Sequence, residues 1–329
     1  MARMGFAISG GLTPSEIVEC VVLAERLGYE SAWVAEGHGG DQFATLSACA
    51  MATERILLGT SISSVFVRSI PTIAMAAATV DDLSKQRFIL GLGSSHRVQV
   101  EPEHGQVYRK PIQRLRESVE VIRTLLRDGE ISGYHGETVR IEHFNFWFEP
   151  ARREIPIYLA GLFPKMLEVC GEIAQGVIMT RSTLDTGRMA ADSIATGARR
   201  ANRRPEEVDI ATLLPCCVAE DSKAAFDEMR PGIAFYMGFF PRYNRLMAES
   251  GFVDEARTVR EAWDRGDREA ATRAVPDELI ASTSAVGTPE ACRARIEAYR
   301  QSGIDLPIIS PRSGGKAGAM AAIRACAPL

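Results

Sequence analysis

No apolar run in this 329-residue chain is long enough to cross a membrane. The longest, residues 70–80, is interrupted by Pro71 and Thr72 and falls far short of the roughly 20 residues a spanning helix needs. The opening MARMGFAISGG carries no apolar stretch of the secretory type, so a cytoplasmic protein is expected. Basic residues never cluster densely, and the net charge is −4, which argues against nucleic acid or an anionic membrane as the main partner. There is no CxxC among the seven cysteines (Cys20, Cys49, Cys170, Cys216, Cys217, Cys292 and Cys326), an odd number in mostly apolar settings that predicts reduced core thiols. Adjacent Cys216 and Cys217 would face opposite sides of a strand.

Catalytic signatures are equally scarce. Neither HxH nor HExxH occurs, and His104, His135 and His143 are scattered through polar stretches, so no metal site is expected. GxSxG is missing, and no GxGxxG follows the first apolar run. Only five lysines are present (Lys85, Lys110, Lys165, Lys223 and Lys316), none of them within an apolar run, which leaves no strand lysine for Schiff-base chemistry. Few catalytic groups combined with several turns able to hold anions suit a reaction whose chemistry a cofactor carries.

What is present is a rhythm. Residues 5–9, 31–35, 56–62 and 88–93 are short apolar runs, each followed by an amphipathic or small-residue helical segment. Thr13-Pro14-Ser15-Glu16 has the residues of a capped helix start, with Thr13 as N-cap, Pro14 at the first helical position and Glu16 completing the box. The second half repeats the pattern at 155–160, 176–179, 208–218 and 306–310. The 94–110 stretch is expected to be a loop, 131–148 a surface hairpin, and about 221–280 a helical insertion. Thr288-Pro289-Glu290 opens another capped helix. Continuous apolar strands between helices indicate a parallel sheet covered on both faces. Eight such units predict a (β/α)8 TIM barrel, a single domain over 1–329, with a doubly wound sheet as the rival.

In a barrel the active site forms where strands end, so the residues after each run are the candidates. After the second run come Glu36, Gly37, His38 and Asp41, which bring two carboxylates and an imidazole together. Ser61, Ile62, Ser63 and Ser64 follow the third. Gly93, Ser94, Ser95, His96 and Arg97 follow the fourth and could cradle a phosphate through backbone N–H groups. Ala160, Gly161 and Lys165 frame a helix start after the fifth, another place for an anion.

Several blocks together resemble the luciferase-like flavin and deazaflavin oxidoreductases. They are WVAEGH (33–38), GTSISSVFVRSIPTIA (59–74), FILGLGSS (88–95), IPIYLAGLFPKMLEVCGEIAQGVIM (155–179) and VGTPEACRARIEAYRQSGID (286–305). The order is preserved over nearly the whole chain, and within the superfamily the branch containing F420-dependent methylenetetrahydromethanopterin reductase is the most similar. The resemblance implies a (β/α)8 barrel, usually dimeric, that binds coenzyme F420 or FMN at the strand C-termini. It implies a non-prolyl cis peptide at Ser61–Ile62 behind the cofactor ring, Glu36 and His38 facing the ring, and the pyrimidine edge at Ala160 and Gly161. The phosphate region would be served by Gly93, Ser94, Ser95 and the Gly161–Lys165 turn, with Arg97 and Lys165 supplying local positive charge. Two positions depart from the pattern. Glu36-Gly37-His38 stands where F420 users carry adjacent Asp-His, and Ala7 stands where the methanopterin reductases carry a glutamate on strand one.

The resemblance therefore implies hydride transfer with F420 to or from an imine, carbonyl, alcohol or activated alkene, with Glu36 or His38 handling the proton. Phe235, Tyr236, Phe239, Phe240 and Tyr243 of the insertion are candidates for lining the pocket. The alternative is an FMN-dependent monooxygenase supplied by a flavin or F420 reductase. A zinc hydrolase using Glu36, His38 and His96, and a non-catalytic deazaflavin carrier, complete the readings.

Overall fold

The helix start at Thr13 forms a reciprocal cap in the computed structural model, which describes residues 2–312 and 314–328. The Thr13 N–H donates to Glu16 Oε2 at 2.9 Å, and the Glu16 N–H donates to Thr13 Oγ1 at 3.4 Å. Two otherwise orphaned helix donors are thereby satisfied.

Eight strands make the central sheet: β1 (Gly5–Ile8), β2 (Ser31–Val34), β3 (Leu57–Thr60), β4 (Phe88–Gly93), β5 (Ile157–Ala160), β6 (Gly176–Thr180), β7 (Asp209–Val218) and β8 (Leu306–Pro311). Each pairs in parallel with the next, and β8 returns to β1 with Gly5 opposite Ile308, so the sheet closes on itself. Around it lie α1 (Pro14–Arg26), α2 (Gln42–Ala52), α3 (Ile70–Leu83), α4 (Pro111–Asp128), α5 (Pro164–Ile173), α6 (Leu184–Arg200), α7 (Pro289–Gln301) and α8 (Gly315–Ala325). This is a (β/α)8 barrel, and the parallel ring removes the open edges a doubly wound sheet would leave.

The barrel interior is a small apolar cluster of Ala7, Trp33, Ile89, Tyr158, Ile178, Ala211, Leu306 and Ile308. Trp33 fills it, with its ring centroid 5.6 Å from that of Tyr158 and its indole N–H donating to Ser31 Oγ at 2.9 Å. Space for the indole comes from Gly59 on β3, where a Cβ would sit 2.3 Å from the ring. At the N-terminal end Arg3 bridges Glu30 and Asp209, and the Tyr158 hydroxyl donates to Asp209 at 2.5 Å. A charged plug at that end serves stability, since barrel chemistry occurs at the other face.

Three local features differ from the sequence expectation. The 94–110 stretch contains a helix, Arg97–His104, whose signal is masked by Pro102 inside it and by a start that lacks a side-chain cap. A short strand, Ala285–Gly287, adds to the sheet beside β7, too brief to show a period. Ser63–Ser64, just past β3, pairs with the end of β4. The strands Glu130–His135 and Arg140–Asn145 form an antiparallel hairpin outside the barrel.

Between β7 and Ala285 run five helices: Ser222–Phe239, Pro241–Glu249, Val253–Asp264, Arg268–Arg273 and Asp277–Thr283. They enclose a core of their own, to which Leu162 and Phe163 of the β5–α5 turn are packed. β7 joins the two cores directly, because Cys216 belongs to the outer barrel core and its neighbour Cys217 to the insertion core. All seven cysteines are buried, and no disulfide joins any of them among the described residues. No helix among the described residues is long and apolar enough to span a membrane.

Candidate active site

The C-terminal ends of the strands converge at one mouth, and polar groups gather there. After β2, the Glu36 carboxylate is largely buried and held by Arg68, whose Nε donates to Oε1 at 2.7 Å. The Ser63 hydroxyl approaches the other oxygen at 3.4 Å. Arg68 reaches on to Asp41 at 2.6 Å and lies over the Phe43 ring. His38 takes a different course. Its side chain is 78% exposed and its Nε2 lies 3.2 Å from Glu103 Oε2, so the imidazole leans on the Arg97–His104 helix outside the carboxylate pair.

After β3 the Ser61–Ile62 peptide is cis, as the resemblance implies. The Ser61 backbone N–H donates to the Val34 carbonyl at 2.9 Å, while its buried hydroxyl has no hydrogen-bond partner among the described residues. Ile62 lies against Gly93, where a Cβ would fall 2.6 Å from the Ile62 Cδ1, so the close fit of β4 behind this bulge requires glycine.

After β4, Ser95 adopts a left-handed φ of 52°, a conformation a non-glycine residue holds only where its surroundings enforce it. The Tyr108 hydroxyl donates to Ser94 Oγ at 3.1 Å and to the Ser95 carbonyl at 3.3 Å, fixing this turn. His96 packs between Phe240 and Tyr243, with ring centroids at 4.6 and 5.1 Å. Burial, helped by the positive charge of Arg242, pulls its imidazole down to about 4, which keeps it neutral at physiological pH. Arg97 is exposed and paired with Glu101 at 2.7 Å, and its guanidinium also donates to the Tyr108 carbonyl. Gly161 is buried after Ala160 on β5, whereas Lys165 is exposed on the first turn of α5.

The structure thus brings Glu36, Ser61, Ile62, Ser63, Gly93, Ser94 and Ser95 to linked strand ends β2, β3 and β4. It sets His38, Arg97 and Lys165 at the periphery. Glu36, His38 and His96 turn to Arg68, Glu103 and the insertion aromatics respectively, and among the described residues no group of three His, Cys, Asp or Glu side chains is placed to hold a metal.

Residues that the sequence reasoning passed over stand on the opposite side of the mouth. Arg181 directly follows β6, is 4% exposed and has φ 54°. Its guanidinium lies 3.7 Å from the centroid of the Tyr236 ring, and Arg312, directly after β8, lies 5.8 Å from the same ring. The signal for both was available, since each stands two residues beyond an apolar run, 176–179 or 306–310. An isolated arginine after such a run, however, has the appearance of a solvated turn.

The sequence model described as "Luciferase-like monooxygenase" matches residues 3–306. A Mycobacterium tuberculosis protein provisionally named a coenzyme F420-dependent oxidoreductase is 29% identical over 95% of this chain and 96% of its own. The 5,10-methylenetetrahydromethanopterin reductase of Methanolobus tindarius is 28% identical over 88% of each chain. Among solved structures, the coenzyme F420-dependent tetrahydromethanopterin reductase of Methanopyrus kandleri superimposes with a TM-score of 0.83 at 25% identity, covering 98% of both chains.

Proposed function

The chain belongs to the luciferase-like monooxygenase family, and from that premise we propose that it is an oxidoreductase that uses coenzyme F420 to move a hydride to or from a small organic substrate. The observation that carries the choice of F420 is the end-to-end match to relatives named for that cofactor, combined with a mouth whose residues fit it. The fit rests on a buried Ser61 hydroxyl without a partner among the described residues, on the cradle at Gly93 that a Cβ would fill, and on a Ser94–Ser95 turn tethered by Tyr108. Ser61, Ile62 and Ser63 would support the cofactor ring, Ala160 and Gly161 its polar edge, and Gly93, Ser94 and Ser95 its phosphate region, with Arg97 and Lys165 at the rim.

When bound, F420 supplies a carbon that donates or accepts a hydride. The chain's own part is to bind, orient and manage the proton, because a carbonyl that receives hydride needs a proton as well. Glu36 is the better placed of the two candidates for that proton. It is buried in the mouth, Arg68 fixes its orientation, and Ser63 offers its second oxygen a route inward. His38, turned towards Glu103 at the rim, is the second candidate. The neutral His96 imidazole and the aromatic side chains around it shield the mouth from water.

The substrate carries an imine, carbonyl, alcohol or activated alkene. Ala7, buried in the apolar barrel interior, offers no carboxylate at the strand-one position, so the reading takes over the cofactor class of the methanopterin reductases and not their substrate. The reading extends to a cytoplasmic homodimer, whose subunit number sedimentation equilibrium would report.

Fluorescence titration tests the proposal. F420 is expected to bind more tightly than about 100 μM and more tightly than FMN. Failure of both to bind in that range overturns the reading, and a preference for FMN transfers it to an oxygen-dependent monooxygenase.

A further inference from the structure

The fold shows in one place how it treats an arginine buried for structural reasons. Arg87, 9% exposed, donates from its guanidinium to the carbonyls of Ser84, Ile56, Ala50 and Thr53 and to the Thr53 hydroxyl. All three of its nitrogens are engaged, as a buried polar group requires.

Arg181 is buried more deeply and treated differently. Among the described residues its Nε and Nη1 have no hydrogen-bond partner, and no carboxylate forms an ion pair with it. Arg312 repeats the pattern with a buried Nε that has no partner among the described residues, and its main chain is fixed by an N–H bond to the Cys216 carbonyl at 3.1 Å. The two guanidiniums flank one phenol, that of Tyr236. Burial would raise that phenol's pKa, but Arg312 and Arg181 more than offset it and hold it below its ordinary value. Tyr243, 5.2 Å from Tyr236 by ring centroids, links the group to His96 across the mouth. Two like charges with open donors and no counter-ion are unfavourable in a buried site unless a ligand supplies the missing negative charge. The left-handed backbone at Arg181 shows that the chain holds it there against local preference.

We propose that Arg181, Arg312 and Tyr236 form an oxyanion subsite for the substrate, which therefore bears a carboxylate or phosphate group besides its reacting carbon. Guanidinium donors suit both groups, and the phenol supplies a further hydrogen bond. The subsite lies after β6 and β8, next in the ring to the β5 turn and opposite the β4 turn given to the cofactor phosphate. The assignment to substrate rests on the F420 reading above, whereas the capacity to hold an oxyanion does not.

The test uses the full chain with inorganic phosphate, succinate and neutral succinamide as probes, read by calorimetric titration and by melting temperature, with and without F420. Phosphate or succinate is expected to bind and to raise the melting temperature whether or not F420 is present, and succinamide to do neither. Arg181→Met and Arg312→Gln are each expected to weaken anion binding at least tenfold, with F420 affinity held within threefold. Without anion, Arg181→Met should melt no lower than the parent, because it removes an unpaired charge; Arg312→Gln keeps the question open if Arg181→Met does not fold. The proposal is overturned if neither anion binds the parent, if both variants bind it as the parent does, or if anions compete with F420 and the variants lose F420 in parallel. That last result would assign the subsite to the cofactor's acidic tail. An anion that binds while F420 does not would instead overturn the cofactor reading, and with it the assignment to substrate.

Discussion

Glu117 on α4 shows how much a single buried carboxylate can contribute when the backbone is arranged for it. Its two oxygens accept from the N–H groups of Glu137, Thr138 and Val139 and from the Thr138 hydroxyl, at 2.6–2.8 Å. Burial opposes the charge, but the bonds from Thr138, Gln113 and Glu137 outweigh it and hold the carboxyl at about 2, below its ordinary 4.5. A depressed pKa in the folded state gives stability that is fully present above about pH 4.5 and is lost as the pH falls towards 2. The shift corresponds to about 3 kcal/mol at neutral pH. Glu117→Gln should therefore destabilise the protein by about 2–3 kcal/mol at pH 7 in urea unfolding, with the gap from the parent narrowing below pH 4. A gap that stays constant with pH would show that the charge contributes nothing. At this scale the sequence was uneven as a guide. Glu36 was legible because a carboxylate beside glycines after an apolar strand is unusual, whereas Glu117 and Arg181 were not. What matters about them is which partners the fold brings or withholds, and residue type does not encode that.

β3 carries the same lesson to the level of an element. The run ILLGTSI was legible as a strand from its apolar continuity, and the small-residue segment after it as a helix, observed as α3 over Ile70–Leu83. What could not be seen is that Gly59 exists for Trp33, a partner on the neighbouring strand. With its Cβ at 2.3 Å from the indole, Gly59→Ala must displace Trp33 or bend β3. A cost of about 1–3 kcal/mol is expected from such overpacking, measurable as a lower midpoint in urea. Trp33→Leu in the same chain should make the alanine nearly neutral, so the double variant would be more stable than the sum of the singles implies. Strict additivity would mean the two residues do not compete for the space. The Arg97–His104 helix was hidden for another reason, because only Val100 is buried on it and an eight-residue helix with a proline inside shows no apolar period.

At the scale of the whole molecule the question is whether the barrel and the insertion over 222–283 behave as one unit. Each has a core, and an insertion with its own core could melt separately. The connections argue otherwise. β7 is ten residues long, and its two adjacent cysteines are shared between the cores, so the strand cannot leave the barrel without opening the insertion. Leu162 and Phe163 bind the β5–α5 turn to the insertion from the other side, and Arg245 lies over the Phe163 ring at 4.7 Å. The Arg181–Tyr236 contact ties the end of β6 to the helix Ser222–Phe239 as well. Three barrel elements thus lose packing if the insertion opens, which favours a single cooperative transition, and we propose the chain as one domain on that basis. Scanning calorimetry should give one peak whose van't Hoff and calorimetric enthalpies agree. Trp263→Ala, which removes a half-buried ring packed against the insertion core, should shift that whole peak down rather than split it. The expected loss is about 3 kcal/mol, large enough to move the midpoint of a protein of this size by several degrees. A split peak, with an early component that alone responds to Trp263→Ala, would make the insertion an independent unit. The mouth between Arg181 and Tyr236 would then open without unfolding the barrel.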